Sequence, residues 1–114
     1  MTRDGVDGEF LREIKRVIME EAGKLGVRVE KVILFGSRAR GEAREDSDWD
    51  ILVVIVGGLE WRVRKLLWRR IYRRLRPLLG GPVDLLIEGT EYYSRNVEEE
   101  ASFEAAITGE GIHV

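Results

Sequence analysis

Residues 48–56 (DWDILVVIV) constrain the fold more than any other stretch. An unbroken apolar run, mostly β-branched, follows an Asp-Trp-Asp head and stops at Gly57-Gly58. Such a run suits a strand buried on both faces, so the segment predicts the centre of a sheet with helices against it. With 114 residues the chain suits one domain, because two would each lack a self-sufficient core.

The flanking periodicities build the rest. In residues 8–25, Leu11, Ile14, Ile18, Ala22 and Leu25 recur at helical spacing, with a cap expected at Asp7 and a stop at Gly26. Residues 29–35 read as a buried strand ending at Gly36, and residues 37–47 as a short helix from Ser37 followed by a loop. Residues 60–76 form a basic amphipathic helix that Pro77 is expected to end. On a helical wheel Trp61, Trp68 and Tyr72 join its apolar half, which predicts core packing; Arg64 and Arg74 are the charged exceptions on that side. Residues 83–87 (VDLLI) predict a third strand, residues 93–107 a last helix, and residues 111–114 a short terminal strand. The fold class is therefore α/β (α+β), a small mixed sheet flanked by helices.

Composition removes whole chemistries. Without Cys there are no disulfides, Cys-zinc sites or thiol nucleophiles, and a single His, His113, nearly removes His-based metal sites and triads. Any metal would rest on carboxylates, which points to magnesium, manganese or calcium. No apolar run approaches membrane-spanning length and the start lacks an apolar leader, so a soluble cytoplasmic protein with no membrane partner is expected. Net charge is −2, yet residues 61–80 carry eight bases and no acid, and residues 84–114 eight acids against Arg95. That asymmetry predicts a polar partner or a polar homodimer.

Asp48 and Asp50 fall on one side of the central strand and Trp49 on the other. Two carboxylates ~7 Å apart repel unless a cation lies between them. A bare Asp-x-Asp is most often a pair of solvated acids. A calcium loop fails, because Ile51 and Gly57 stand where Gly and Glu are required. Asp84, a lone acid in an apolar strand, is either an edge residue facing water, the partner of an Arg such as Arg64, or a third ligand. With Asp48 and Asp50 it would complete a site for one or two Mg²⁺ ions, Mn²⁺ being the alternative. Gly36-Ser37, between a strand and a helical turn, supplies a sharp bend, free amides and a hydroxyl able to hold phosphate. Neither a P-loop nor a dinucleotide fingerprint is present.

Gly36-Ser37, then Asp48-x-Asp50, then Asp84 on a later strand resembles the nucleotidyltransferase superfamily of DNA polymerase β. More narrowly, GSRARGEAREDSDWDILVVIV resembles the minimal nucleotidyltransferases, partners of HEPN-domain proteins in toxin–antitoxin pairs. The resemblance implies a polymerase β-like core and transfer of AMP from ATP to a Tyr of a HEPN toxin. It further implies that Asp48 and Asp50 carry metals bridging the triphosphate. Asp84 would bind the catalytic metal and help deprotonate the acceptor, and Gly36 and Ser37 would hold the β- and γ-phosphates. Arg40 either touches phosphate or pairs with Glu42, Glu45 or Asp46.

Two other readings compete. One is a non-catalytic antitoxin that masks its HEPN partner through the basic helix 60–76; direct nucleic-acid binding is not expected, because the aromatics of that helix lie on its core side. The other is an antibiotic-type nucleotidyltransferase, which would need an additional helical domain. Tyr92 and Tyr93 read as core anchors, and residues 98–100 as a solvated helix face.

Overall fold

The computed structural model describes Thr2–Arg3 and residues 6–114, with side chains from Gly8 onward. The expected Asp7 cap lies outside the described side chains. Strands β1 (Thr2–Arg3) and β2 (Val6–Asp7) pair antiparallel as a short ribbon that the sequence pattern did not indicate. Then follow α1 (Gly8–Lys24), β3 (Val29–Phe35), α2 (Ser37–Arg40), β4 (Trp49–Ile55), α3 (Trp61–Leu79), β5 (Val83–Gly89), α4 (Thr90–Val97), α5 (Phe103–Glu110) and β6 (Ile112–His113).

The main sheet runs β5-β4-β3-β6, with β3 antiparallel to both β4 and β6 and β4 parallel to β5. A parallel pair needs a crossover, and α3 provides it. Ile51 to Ile55 of β4 are at most 1% exposed, as expected for the central strand. One face of the sheet packs on α1 and α3 through Ile14, Ile18, Val53, Leu67, Ile71 and Leu75. The other packs Ile33, Leu52 and Val54 against Tyr93 of α4 and Ile107 of α5. No helix of the described residues is long and apolar enough to cross a membrane.

Two boundaries differ from expectation. Helix α3 continues past Pro77 to Leu79. Proline removes only one backbone donor there, while buried Leu79 and the left-handed cap at Gly80, whose N–H returns to Arg76 O, hold the last turn. The expected single last helix is two. The Ser102 hydroxyl donates to Asn96 O and accepts from Ala105 N–H, which ends one helix and caps the next. Residues 98–100 are exposed, as expected, but form the bend between the two helices.

Charged groups stitch α1 to α3. Glu21, only 2% exposed, accepts from Arg70 Nε (2.9 Å), Arg74 Nη1 (2.8 Å) and Lys24 Nζ (3.1 Å). Burial alone would raise its pKa; the three cations outweigh that and hold it at about 2. The two arginines that broke the wheel pattern are accounted for. Arg74 reaches Glu20 and Glu21, and Arg64 lies beside Glu88. Of the aromatics of α3, Tyr72 packs on the core as expected, whereas Trp61 is 64% exposed and Trp68 37%. Tyr93 is buried as expected, whereas Tyr92 is exposed.

Candidate active site

Alternation along β4 sends Trp49, Ile51, Val53 and Ile55 into the α1/α3 layer, and Leu52 and Val54 toward α4 and α5. Asp50 therefore points to the α4/α5 face near the start of the strand, where it is half-buried. The parallel register sets Asp50 beside Asp84, and the antiparallel register sets it opposite Phe35. Asp48 precedes the strand and is exposed, Asp50 is half-buried, and Asp84 is exposed on the edge strand. Asp84 has an edge position and Arg64 is not its partner, so it remains open to a ligand. Arg64 lies instead beside Glu88, four residues along β5.

Gly36 completes the corner. Its φ is +75°, and a Cβ built there would lie 2.1 Å from Asp50 Oδ2 and 3.0 Å from Asp50 Cγ. Only glycine both adopts that turn and lets the backbone press against the carboxylate. Ser37 opens α2, in which the Ala39 and Arg40 amides return to Gly36 O at 3.1 and 3.2 Å. The amides of Ser37 and Arg38, at the start of this turn, have no partner within it.

Asp50 has its pKa raised, first by burial, then by the charges of Asp84 and Asp48, with Arg40 acting the other way. Asp50 thus lies within the field of both other acids. Arg40 itself donates from Nε to Glu42 Oε1 at 2.6 Å and stands 4.0 Å from Glu110 Oε2. Its side chain is half-exposed, and its charge faces the same corner.

Sequence reasoning missed Arg38. Its Nη2 donates to Ser47 O at 2.9 Å, and its guanidinium lies 4.3 Å from the Trp49 ring centroid. Trp49 in turn packs on Phe10 at 5.4 Å. Arg38 therefore ties α2 to the loop that delivers Asp48. An Arg directly after the Gly-Ser turn was the available signal.

Among the described residues, no three Asp, Glu or His side chains already form a metal-holding cluster. The donor set nonetheless suits a hard divalent cation: all three groups are carboxylates, and Asp50 suffers a repulsion that a cation would relieve. A cavity of about 370 Å³ lies at the opposite ends of β4 and β5, lined by Gly57, Arg64, Glu88, Tyr92 and Arg95 among others. None of the three acids lines it, so it is separate from this corner.

Comparison with known proteins agrees with this geometry. The profile of the nucleotidyltransferase domain family matches residues 11–107. Two proteins of Methanocaldococcus jannaschii, each named "putative protein adenylyltransferase", are 33% identical over 95 residues, 81% of this chain and 88% of theirs. A solved structure described as a "putative minimal nucleotidyltransferase" superposes with a TM-score of 0.59 at 30% identity, covering 95% of this chain and 96% of the other. A Sulfolobus solfataricus structure at 22% identity shares the fold alone, with a TM-score of 0.50 over 96% of this chain and 88% of that one. With its Gly-Ser corner, Asp50 and Asp84 on paired strands and Asp48 just ahead of them, the chain belongs to the nucleotidyltransferase domain family and is a nucleotidyltransferase.

Proposed function

We propose that the enzyme is a protein adenylyltransferase that moves AMP from ATP to a hydroxyl, the acceptor being a Tyr of a HEPN-type toxin. The observation that carries the reading is the register of Asp50 with Asp84 beneath a glycine turn that admits no side chain. Asp48, Asp50 and Asp84 would hold Mg²⁺, or Mn²⁺ in its place. When bound, the metal supplies charge neutralisation for the triphosphate and the departing pyrophosphate. The Gly36-Ser37 turn offers amides and a hydroxyl to the phosphates, and Arg40 adds a cation once it releases Glu42. The acceptor oxygen attacks the α-phosphorus as the bond to the β-phosphate bridging oxygen breaks. Asp84 takes the hydroxyl proton, and pyrophosphate leaves with the bonding electrons. Positioning and charge do most of the work, because no covalent enzyme intermediate is needed.

The test mixes labelled ATP, Mg²⁺ and the HEPN-type protein encoded beside this one with wild type or with Asp48→Ala/Asp50→Ala. Label on the partner that disappears with the double variant and with EDTA is the expected result. Equal partner binding by both proteins with no transfer would replace this reading with masking through α3.

A further inference from the structure

The edge of the sheet that carries Asp84 is open. Among the described residues β5 pairs only with β4, and its outer side meets α3 across a groove of about 280 Å³. Trp61, Lys65, Trp68, Leu85 and Ile87 line that groove, and Arg62 sits 5.3 Å from the Trp61 ring centroid. The Trp68 indole N–H donates to Leu85 O at 2.7 Å, which shows that the Leu85 carbonyl points away from β4. In a strand, the N–H and C=O of one residue point to the same side and alternate residue by residue. Val83 and Ile87 therefore present their backbone groups outward as well. A seven-residue strand with such an edge is a ready template for another strand, and its groove-side residues Val83, Leu85 and Ile87 are apolar. Trp61, at 64% exposure, is the kind of side chain that anchors interfaces.

We propose that this edge is where the protein acceptor docks, an extended acid-flanked segment adding as a strand beside β5. The proposal rests on the reading that the acceptor is a protein. Charge selects the occupant: Arg64 and Lys65 line the groove, Arg62 lies over Trp61, and α3 holds no acid, so an acidic segment is attracted. A second copy of this chain would set one basic helix against another. Strand geometry then delivers the chemistry. Alternate side chains of an added strand fall on opposite faces. One set enters the groove between Trp61 and Trp68; the other lies on the face of Asp84 and Leu86, where a hydroxyl comes level with Asp84. Trp68, stacked on Tyr72 at 4.7 Å, holds the place of the missing strand and swings off Leu85 as the segment seats.

The probe is a fluorescent peptide, Glu-Glu-Val-Tyr-Val-Thr-Val-Glu-Glu, followed by anisotropy and by transfer of labelled AMP from ATP. Trp61→Ala and Lys65→Glu should each weaken peptide binding at least about tenfold. Asp50→Asn should bind like wild type. Methylating alternate peptide amides should abolish binding, because strand pairing needs those donors. Trp68→Phe keeps the stack but removes the competing donor, so it should bind about fivefold tighter, the worth of one net hydrogen bond. Peptide binding with this pattern but no AMP transfer would leave the docking edge standing and remove the adenylyltransferase reading. Transfer to the HEPN-type protein that is indifferent to Trp61→Ala and Lys65→Glu would do the reverse. Loss of binding in Trp68→Phe, insensitivity to amide methylation, a Trp61-dependent homodimer by light scattering, or displacement of the peptide by an RNA oligonucleotide would each overturn the docking edge.

Discussion

Glu88→Gln should stabilise the fold at alkaline pH and leave it almost unchanged in acid. Glu88 on β5 lies within hydrogen-bonding reach of Glu104 on α5, which is 5% exposed. Its Oε1 is buried without a partner. Burial, and then the Glu104 carboxylate, raise the Glu88 pKa from 4.5 to about 7, against a smaller opposing pull from Arg64. Between those two values the folded chain keeps a proton that the unfolded chain releases. Stability therefore falls as pH rises through that window and stays reduced above it. The interval corresponds to at most about 3 kcal/mol, and sharing of the proton with Glu104 argues for about 2. A glutamine amide supplies the missing N–H to Glu104 at every pH. Urea unfolding at about pH 4 and about pH 8.5 should then show a variant-minus-wild-type difference near zero in acid and about 2 kcal/mol in base, or roughly 8–15 °C in Tm. Glu104→Gln should flatten the pH dependence in the same way. Parallel pH profiles for wild type and Glu88→Gln, or equal destabilisation at both pH values, would refute the shared-proton argument.

Three further outcomes follow from contacts described above. Gly36→Ala should reduce AMP transfer at least about 100-fold, because the added methyl occupies the place of Asp50 Oδ2; circular dichroism and a labelled-ATP assay separate this from unfolding. Glu21→Gln leaves Arg70 without its counter-charge and Arg74 with Glu20 alone, and should lower stability by about 3 kcal/mol in urea titrations near neutral pH. Because its folded pKa is depressed, the Glu21 contribution is present above about 4.5 and should disappear as pH falls toward about 2, so the variant and wild type converge in acid. Arg38→Met removes the tie to Ser47 O and should raise the KM for ATP several-fold with little change in Tm, measured by initial rates and calorimetry.

The central strand was legible because its apolar run leaves no alternative to burial on both faces. Gly36-Ser37 and the acids were legible as a motif, and β4 and β5 do bring Asp50 beside Asp84. The long-range polar contacts were not legible. Glu20 and Glu21 look alike in the sequence, yet only the approach of α3 from residue 70 onward buries Glu21 and leaves Glu20 half-open. Glu88 and Glu104 likewise become partners only when α5 folds back on the sheet. The exposure of Trp61 escaped the helical wheel because a wheel assumes a neighbour along the whole helix, and β5 ends the sheet at that point. The break at residues 98–102 left one trace, Ser102 in an otherwise helix-favouring stretch, and a serine there is as easily a surface residue as a cap.

β6 has a consequence for the order in which the molecule can be assembled during synthesis. It covers β3 by pairing Ile33 with His113 and Leu34 with Ile112, and Gly111 enters so closely that a Cβ would lie 2.4 Å from Ile33 Cγ2. Every other described element precedes it along the chain. On the ribosome, then, β3 remains a bare edge after the strands that carry Asp50 and Asp84 have been made. That side of the sheet is closed only when residues 111–114 are available to pair, so a nascent chain is exposed to mispairing at β3 until then.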